Sequence, residues 1–442
     1  MKRIIKIFLW IGASLLLISL VFCGYLYFFK PISMHKPLVY SSKGNVVLEK
    51  ELTEEEVKED VKSMINIIEE THPIFLEGEN KKYQAAKENF IKVCNNAMTT
   101  SQFQLEASKY LCSLEDGHTG VRWNEVEALD INWLYLNGKL SLLDKDNKII
   151  DKEVVKINGI NLEALIKGVK EIFPAENYVA ENKNIANRLK GKLALKALGV
   201  EANDKVALTI KGNNGYEDIT VKYAPINNTG NYSREISSNK IDSKTFYIRL
   251  GICEVNNSLN SVIEDLKSAM NEGVTNVIID VRDNPGGNSQ ACTKLLDAMN
   301  MKPGHFGAVI RFSPLAQKYR GYLRSHGKVI LSNSNSSKKN ENIDLYVITN
   351  ENTFSSAQWL ATWVQDGKLG DIAGSASSNM PSSYGDVVYF QLSNSKIEGS
   401  VSHKKFTRPD SSKDKERALE PDIKVEIGQD PLQKVKEIIK EK

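Results

Sequence analysis

The stretch DLYVITNENTFSSAQWLATWVQD, residues 344–366, has the pattern of a strand followed directly by a helix. Its first six residues are mostly apolar, and the aromatic-rich part after Thr353 has helical spacing. A second apolar run, TNVIIDV at 275–281, is of the kind buried on both faces of a sheet, and a helix is predicted after it at 289–300. Alternating strands and helices predict a mostly parallel sheet, so we expect an α/β fold.

Other elements extend this alternation toward both ends of the core. The sequence predicts strands at 244–250 and 307–311, a helix at 258–271, a polar surface loop at 332–342 and a short amphipathic helix from 430.

The N-terminus has the pattern of a membrane anchor. Three basic residues, Lys2, Arg3 and Lys6, precede the uncharged run Ile7–Phe29, whose 23 residues would span roughly 34 Å as a helix. The basic residues place the N-terminus inside and the chain after Lys30 outside. A cleaved signal peptide is the alternative, but the run is long and no A-x-A site follows it. We therefore expect a single-pass cell-membrane protein with its main part extracytoplasmic.

The region between the anchor and the core divides into two parts. Thr53 and Glu56 form a capping box at the start of a helical region, and from about residue 124 short strands and turns take over. The predicted segments are 1–6 cytoplasmic, 7–29 transmembrane, 30–51 tether, 52–123 helical subdomain, 124–235 mixed α/β insert and 236–442 α/β core.

Composition excludes several functional classes. A net charge of +3 over 442 residues, with lysine and glutamate interleaved, does not indicate a nucleic-acid partner. Five scattered cysteines without C-x-x-C spacing argue against a zinc site or a disulfide framework, and small buried apolar roles are expected for them. No Walker loop, GxGxxG or HExxH motif occurs, so no cofactor and no metal are predicted.

Three corners of the chain carry candidate chemistry. Ser355 falls near the start of a helix, where it is either a helix cap or a nucleophile beside free N–H groups. Gly286 and Gly287, in DVRDNPGGN, permit a turn whose N–H groups face an anion. His118 lies between two glycines in SLEDGHTGV, a loop position where catalytic groups often occur.

Taken in order, LEDGHTGV, NVIIDVRDNPGGN, YVITNENTFSSAQWLATWVQD, GSASSNMPSSYGD and LEPDI resemble the C-terminal processing (tail-specific) serine peptidases, and within them the branch that includes the tricorn protease core. The resemblance spans roughly residues 52–427. It implies a crotonase/ClpP-like core of ββα units, and a PDZ-like module for the insert. The expected fold is thus an α/β core with a helical subdomain, a PDZ-like or mixed α/β insert and an N-terminal transmembrane helix.

The resemblance also implies roles for individual residues. Ser355 matches the nucleophile, with Gln358 where the family usually has glutamate, and Ser356 would supply a backbone N–H to an oxyanion hole formed with Gly286 and Gly287. Asp366 matches an acidic position that many members share.

The general base implied by the tricorn-like branch is His118. The Ser-Lys branch is disfavoured because no lysine occurs from Leu369 to Ser395. A glutamate near LEPDI would orient the histidine, and among Glu416, Glu420 and Asp410 the expectation falls on Glu416.

The leading interpretation is a membrane-anchored serine endopeptidase that acts on polypeptides outside the cytoplasmic membrane. A catalytically inactive relative that binds a peptide or an apolar ligand in the same cleft is the alternative. A surface scaffold whose insert binds partner peptides is a third possibility.

Overall fold

The computed structural model describes residues 2–78, 80–226 and 234–442. The first element is a long apolar helix, α1 (Lys2–Phe29). Within it, Trp10–Phe29 is a span of 20 residues that is long and apolar enough to cross a membrane, and none of it is buried inside the protein. Near the end of the span, the Tyr27 ring lies 5.1 Å from the guanidinium carbon of Arg324. A signal sequence passes the same test of length and composition.

The segment predicted as a tether lies against the folded body. The N–H groups of Met34 and His35 both donate to the carbonyl of Gly321, at 2.9 and 3.0 Å. Gly321 has a φ of +68°, and a Cβ there would lie 2.0 Å from the carbonyl oxygen of His35. The chain that leaves the apolar helix is therefore fixed to the core from its first residues onward.

The helical region comprises β1 (Glu51–Leu52), α2 (Glu54–Thr71), α3 (Lys81–Val93), β2 (Met98–Thr99) and α4 (Thr100–Cys112). The predicted capping box is confirmed: the Thr53 hydroxyl accepts the Glu56 N–H, and the Glu56 carboxylate accepts the Thr53 N–H. The sequence predicts two further helices in this region, at 81–97 and 101–114. The second of them is confirmed as α4, whereas the first ends four residues early, at Val93. The apolar faces of these helices share one buried cluster with Phe390 and Val401 of the core, so this region packs on the core.

A two-residue strand, β3 (Gly120–Val121), leads into the insert. The insert contains β4 (Glu127–Leu129), β5 (Trp133–Leu136), β6 (Lys139–Leu143), β7 (Ile149–Ile157), β8 (Ile160–Asn161), α5 (Leu162–Ile172), α6 (Tyr178–Arg188), α7 (Lys192–Ala197), β9 (Lys205–Gly212) and β10 (Gly215–Pro225). Its strands form one antiparallel sheet in the order β4-β10-β9-β7-β6-β5, with β8 added on β7. The predicted mixed α/β character is confirmed, and the PDZ-like assignment stays a prediction.

The sequence of the insert predicts one helical stretch around 179–198, but the structure has two helices there. The stretch 179–198 forms two helices because the Glu125 carboxylate accepts the N–H groups of Leu193 and Ala194, and so caps a new helix start. A Cβ at Gly191, just before α7, would lie 2.4 Å from that carboxylate.

The core begins with β11 (Ile236–Lys240), β12 (Thr245–Leu250), α8 (Asn257–Asn271), β13 (Asn276–Asp280), α9 (Gln290–Ala298), β14 (Gly307–Arg311), α10 (Pro314–Arg320) and β15 (Lys328–Leu331). It continues with β16 (Asp344–Thr349), α11 (Ser356–Asp366), β17 (Asp371–Gly374), β18 (Tyr384–Gln391), β19 (Glu398–Thr407), β20 (Ile423–Lys424) and α12 (Pro431–Glu441). The main sheet has the order β11-β12-β13-β16-β17-β20, and every pairing except β11–β12 is parallel. The predicted mostly parallel sheet is confirmed.

A second sheet has the order β15-β14-β19-β18, with β3 on the free part of β19. Because β13 and β16 are parallel neighbours, the loops that follow their carboxyl ends meet at one edge of the main sheet. These loops carry Gly286, Gly287 and Ser355, and β3 brings the His118 loop to the same place through β19.

A buried ion pair ties the carboxyl end of α11 to the second sheet. Arg408 Nε donates to Asp366 Oδ2 at 3.1 Å, and both side chains are 0% exposed. Asp366 also accepts the N–H of Asp410. Asp366 therefore has a structural role here, since it neutralises a buried guanidinium.

Replacing Asp366 with asparagine should destabilise the protein. The variant leaves Arg408 buried without its full counter-charge, a defect that typically costs about 3–5 kcal/mol. Urea denaturation followed by the fluorescence of Trp359 and Trp363 in α11 measures the change. Glu217→Gln, which breaks an exposed pair with Lys152, is the control and should change stability by about 1 kcal/mol or less. Equal losses for the two variants would contradict the role given to Asp366.

Candidate active site

Ser355 occupies the N-cap position of α11 in an unusual backbone conformation. Its φ is +52° and its ψ is −122°, and its side chain makes no capping hydrogen bond. A non-glycine residue in such a region costs on the order of 1–3 kcal/mol, and this strain is typical of functional sites. The hydroxyl is therefore not used as a helix cap.

Neighbouring hydrogen bonds hold the turn in this conformation. The Ser355 N–H donates to Asn379 Oδ1 at 2.8 Å, and the Phe354 N–H donates to the carbonyl of Asn284 at 2.9 Å. The Thr353 hydroxyl donates to the carbonyl of Val281 at 2.9 Å. Each bond joins the serine turn to another loop, so the strained conformation is fixed from several sides.

The glycine turn lies directly against Ser355. Gly286 has a φ of +96°, and a Cβ there would lie 2.6 Å from the Cβ of Ser355. Gly287 has a φ of +132°, and its Cβ would lie 2.2 Å from the carbonyl oxygen of Cys253. Both positions therefore exclude a side chain, as the sequence pattern predicted.

The two glycines differ in what their N–H groups do. The Gly286 N–H donates to the side chain of Asn284 at 2.8 Å inside the turn, so Gly286 contributes shape and is not a free donor. The Gly286 carbonyl accepts the Cys253 N–H at 3.0 Å. Because a trans peptide is planar, this bond aims the Gly287 N–H away from Cys253. Within the described chain, neither Gly287 nor Ser356 has an acceptor for its N–H.

The Ser356 side chain also has a use that the sequence did not predict. Its hydroxyl donates to the carbonyl of Gly287 at 2.7 Å. Residue 356 thus presents its backbone N–H at the start of α11 and fixes the glycine turn through its hydroxyl.

A buried aspartate holds the loop that carries His118. Asp116 accepts the His118 N–H at 2.9 Å and the Thr119 hydroxyl, and it lies 3.1 Å from His72 Nε2. The His118 ring packs on Phe354 with 4.5 Å between ring centroids. The loop before β3 is therefore rigid, and the imidazole lies next to the serine turn.

His118 and Ser355 line one cavity of about 420 Å³. A Cβ added at Gly385 of β18 would lie 3.8 Å from both His118 Cε1 and Nε2, so this edge of the imidazole lies next to β18. The other lining residues are Gly287, Asn288, Ser289, Ser356, Trp359, Asn379, Ser383, Tyr384, Asp386, Lys404 and Phe406.

A carboxylate from the insert lies behind the imidazole. Glu176 Oε1 is 3.5 Å from His118 Nδ1 and accepts the Gly117 N–H at 3.0 Å. Glu176 Oε2 accepts the side-chain N–H of Asn379 at 2.6 Å and the Met380 N–H at 2.9 Å. Since Asn379 also accepts the Ser355 N–H, one chain of polar contacts links His118, Glu176, Asn379 and Ser355.

Burial alone would lower the pKa of His118 below its ordinary value of 6.5. The Glu176 carboxylate, with smaller contributions from Asp116 and Asp386, outweighs burial and raises this pKa. Glu176 therefore favours the imidazolium, the form that a histidine base adopts after it accepts a proton.

The structure places the predicted acids away from His118. Glu416 is half-exposed and pairs with Arg408 Nη1 at 2.8 Å. Glu420 accepts the hydroxyl of Tyr178, and Asp410 caps a short 3₁₀ turn. The expectation of Glu416 beside His118 therefore does not match the structure, and Glu176 occupies that position. The sequence did not predict Glu176 as a site residue, because it lies outside every quoted motif. Asn379 lies within the GSASSNMPSSYGD motif, but no role was predicted for it.

Lys404 lines the cavity and follows the lysine-free stretch from Leu369 to Ser395. Its Nζ pairs with Asp386 at 2.5 Å. Burial would lower the pKa of Lys404, but Asp386 raises it. The ammonium is therefore protonated at neutral pH, which makes it a poor proton acceptor.

Asp116, His118 and Glu176 also offer ligand atoms that all lie within 4.8 Å of one another, close enough for a three-ligand metal site. Both carboxylates already accept backbone N–H groups, from His118 and Gly117. The prediction of no metal stays a prediction.

Residues 244–425 match the model of peptidase family S41. A probable CtpA-like serine protease from Staphylococcus saprophyticus is 22% identical over 215 residues, covering 46% of this chain and 39% of that protein. The chain thus spans about two fifths of that relative's length. Mature CPAF has a similar structure, with a TM-score of 0.60, 14% identity and coverage of 87% and 97% of the two chains. Its complex with lactacystin gives the same TM-score and identity.

These comparisons confirm the predicted resemblance at the level of the family. The structural likeness agrees with a mixed α/β fold with a helical N-terminal region. The crotonase-type core stays a prediction.

Proposed function

We propose that the chain is a serine peptidase that cleaves polypeptides through an acyl-enzyme on Ser355, with His118 as the general base. The observation that carries this proposal is the strained backbone of Ser355, whose hydroxyl makes no capping hydrogen bond and which lines the same cavity as His118. The match to peptidase family S41 and the CtpA-like relative support a serine-type peptidase.

The first step is attack of Ser355 Oγ on the carbonyl carbon of the scissile peptide. The neutral imidazole of His118 accepts the hydroxyl proton through Nε2, and the oxyanion of the tetrahedral intermediate is bound by the N–H groups of Gly287 and Ser356. The positive end of α11 adds to this stabilisation. The imidazolium then protonates the leaving amine, and the C–N bond breaks to give the acyl-enzyme.

The second step reverses the roles. Water enters the cavity and loses a proton to His118 as its oxygen attacks the ester carbon. Collapse of the second tetrahedral intermediate returns the proton to Ser355 Oγ and releases the new carboxyl end of the peptide. Glu176 orients Nδ1 throughout and stabilises the imidazolium, the part given to the third member of a catalytic triad.

The proposal assigns the base to His118 rather than to a lysine. Lys404 shares the cavity, but its ion pair with Asp386 keeps it protonated. A protonated amine has no lone pair for the serine proton.

The apolar helix serves as an uncleaved single-pass anchor with the catalytic part outside. The basic residues before it set this orientation. The hydrogen bonds from Met34 and His35 to Gly321, a few residues after the helix, support a short connection between the proposed anchor and the core.

The topology is checked in intact cells that express the full chain. We expect the protein in the membrane fraction, with the region after Lys30 digested by added protease, because a helix of this length can span the bilayer. Recovery of a soluble form that begins near residue 30 would indicate a cleaved signal sequence.

Labelling of Ser355 tests the activity itself. A fluorophosphonate should modify the wild-type protein at Ser355. The proposed oxyanion hole would stabilise the phosphonyl oxygen of the ester that forms on this serine. Ser355→Ala should lose both labelling and cleavage of unfolded polypeptides while keeping its melting temperature, since the hydroxyl caps nothing. Ser289 is another serine that lines the cavity, and the Ser289→Ala variant should be labelled at Ser355 as the wild type is. If the wild type is neither labelled nor active, the ligand-binding alternative replaces the peptidase.

The pH profile tests the base and its orienting acid. Activity should rise with pH through a limb above 6.5, because the neutral imidazole is the active form and its pKa is raised. Glu176→Gln removes the main group that raises this pKa, so the limb should move to lower pH. It should also reduce kcat by up to about 10⁴-fold, as amidation of an orienting carboxylate does in a Ser-His-Asp site.

Glu416→Gln is the matched control for that experiment. Glu416 contacts Arg408 and not His118, so both the limb and kcat should stay near the wild-type values. The opposite result, with Glu416→Gln inactive and Glu176→Gln active, would restore the acid that the sequence predicted.

A further inference from the structure

A second and larger cleft meets the catalytic cavity at His118. Its volume is about 600 Å³, and the loop from Gly117 to Trp123 forms one wall. The opposite wall comes from the insert, at the end of α5 and along α6, and contributes Phe173 and Arg188. No step of the proposed mechanism uses this cleft.

Arg188 is the chemically distinctive group in the cleft. Its guanidinium carbon lies 4.2 Å from the centre of the Phe173 ring, and Phe173 packs on Trp123 with 5.2 Å between centroids. The Trp123 indole N–H donates to Ser108. The arginine thus rests on an aromatic wall that is itself fixed to α4.

Among the described residues, Arg188 has no carboxylate within ion-pair distance. Glu125 contributes electrostatically, but both of its carboxylate oxygens accept the N–H groups at the start of α7. Burial lowers the pKa of Arg188, yet a guanidinium remains protonated in proteins. Two other arginines of the chain, Arg408 and Arg282, pair with Asp366 and Asp280.

A partly buried cation that lines a cleft and has no counter-charge can bind an anion there. The planar guanidinium donates two parallel N–H bonds to a carboxylate, and the aromatic wall fixes its plane. Arg122, also in the cleft, pairs with Glu398, so the charge left unbalanced is that of Arg188.

We propose that Arg188 binds a carboxylate of the polypeptide substrate in the cleft, while the substrate chain continues past His118 to Ser355. This inference rests on the proposed peptidase function. The carboxylate belongs to an acidic side chain or to the C-terminal residue, two sources with the same chemistry. Substrates that bear such a group near the cleaved bond would be preferred.

Binding to the full chain with Ser355→Ala tests this, because cleavage cannot occur. Three twelve-residue peptides of the same sequence, each with the same uncharged BODIPY dye at its N-terminus and otherwise uncharged, are compared by anisotropy. The first peptide has an amidated C-terminus and a single glutamate, which is placed at each position in turn. The second has a free C-terminal carboxylate and no glutamate. The third has an amidated C-terminus and glutamine in place of the glutamate. At least one carboxylate peptide should bind roughly tenfold or more tightly than the third, as expected for hydrogen bonds between charged groups.

Arg188→Gln in the same background should remove this preference, and Arg188→Lys should restore part of it. Lys196→Gln removes a positive charge from an exposed position of the insert and should leave the preference intact. The peptide that loses its tighter binding in Arg188→Gln shows whether the bound carboxylate is a side chain or the C-terminus. Unchanged melting temperatures show that the variants fold.

Three results would overturn the inference: equal binding of all three peptides, a preference that survives Arg188→Gln, or an equal loss for the neutral peptide. Fluorophosphonate labelling of Ser355 in the wild type is independent of Arg188. Failure of the carboxylate site and failure of the peptidase function are therefore distinguished.

Discussion

The Glu176 carboxylate is the contact on which the arrangement of the site depends. One oxygen holds the His118 loop through the Gly117 N–H, and the other holds the 379–380 loop through Asn379 and Met380. Asn379 in turn holds Ser355. Three segments that are distant in sequence meet at this one side chain, which is 3% exposed. In such a dry position an unmade bond would cost about 1–3 kcal/mol, so the bonds reinforce a single geometry.

The serine turn and the glycine turn impose the second constraint, and it is steric. Ser355 keeps its strained conformation because Gly286 allows the two turns to touch without a side chain between them. Ser356 then returns a hydrogen bond to Gly287, and Cys253 bonds the turn from the opposite side. The Cys253 and Cys292 thiols lie 3.6 Å apart behind this contact as free, buried groups, in keeping with the apolar role expected of them.

The sequence predicted what local patterns determine. The periodicity of β16 and α11, the capping box at Thr53 and the glycine pair all reflect interactions within a few residues. Glu176 and Asn379 could not be found this way, because their partners lie far along the chain and neither belongs to a periodic element. Glu416 was predicted as the orienting acid because it lies close to the LEPDI motif in sequence. In the structure its carboxylate pairs with the buried guanidinium of Arg408. The fixed tether was missed for a similar reason, since its partner is the distant carbonyl of Gly321.

The same short segment of the insert serves both cavities. Glu176 lies between α5 and α6, with Phe173 just before it and Arg188 at the end of α6. Asn177 caps α6 and also binds the carbonyls of Ser377 and Arg417 in the core. Glu176 thus lies just before the first turn of α6, and Arg188 lies in its last turn. The catalytic cavity and the cleft are therefore built on the two ends of one helix, which the bonds of Asn177 fix to the core.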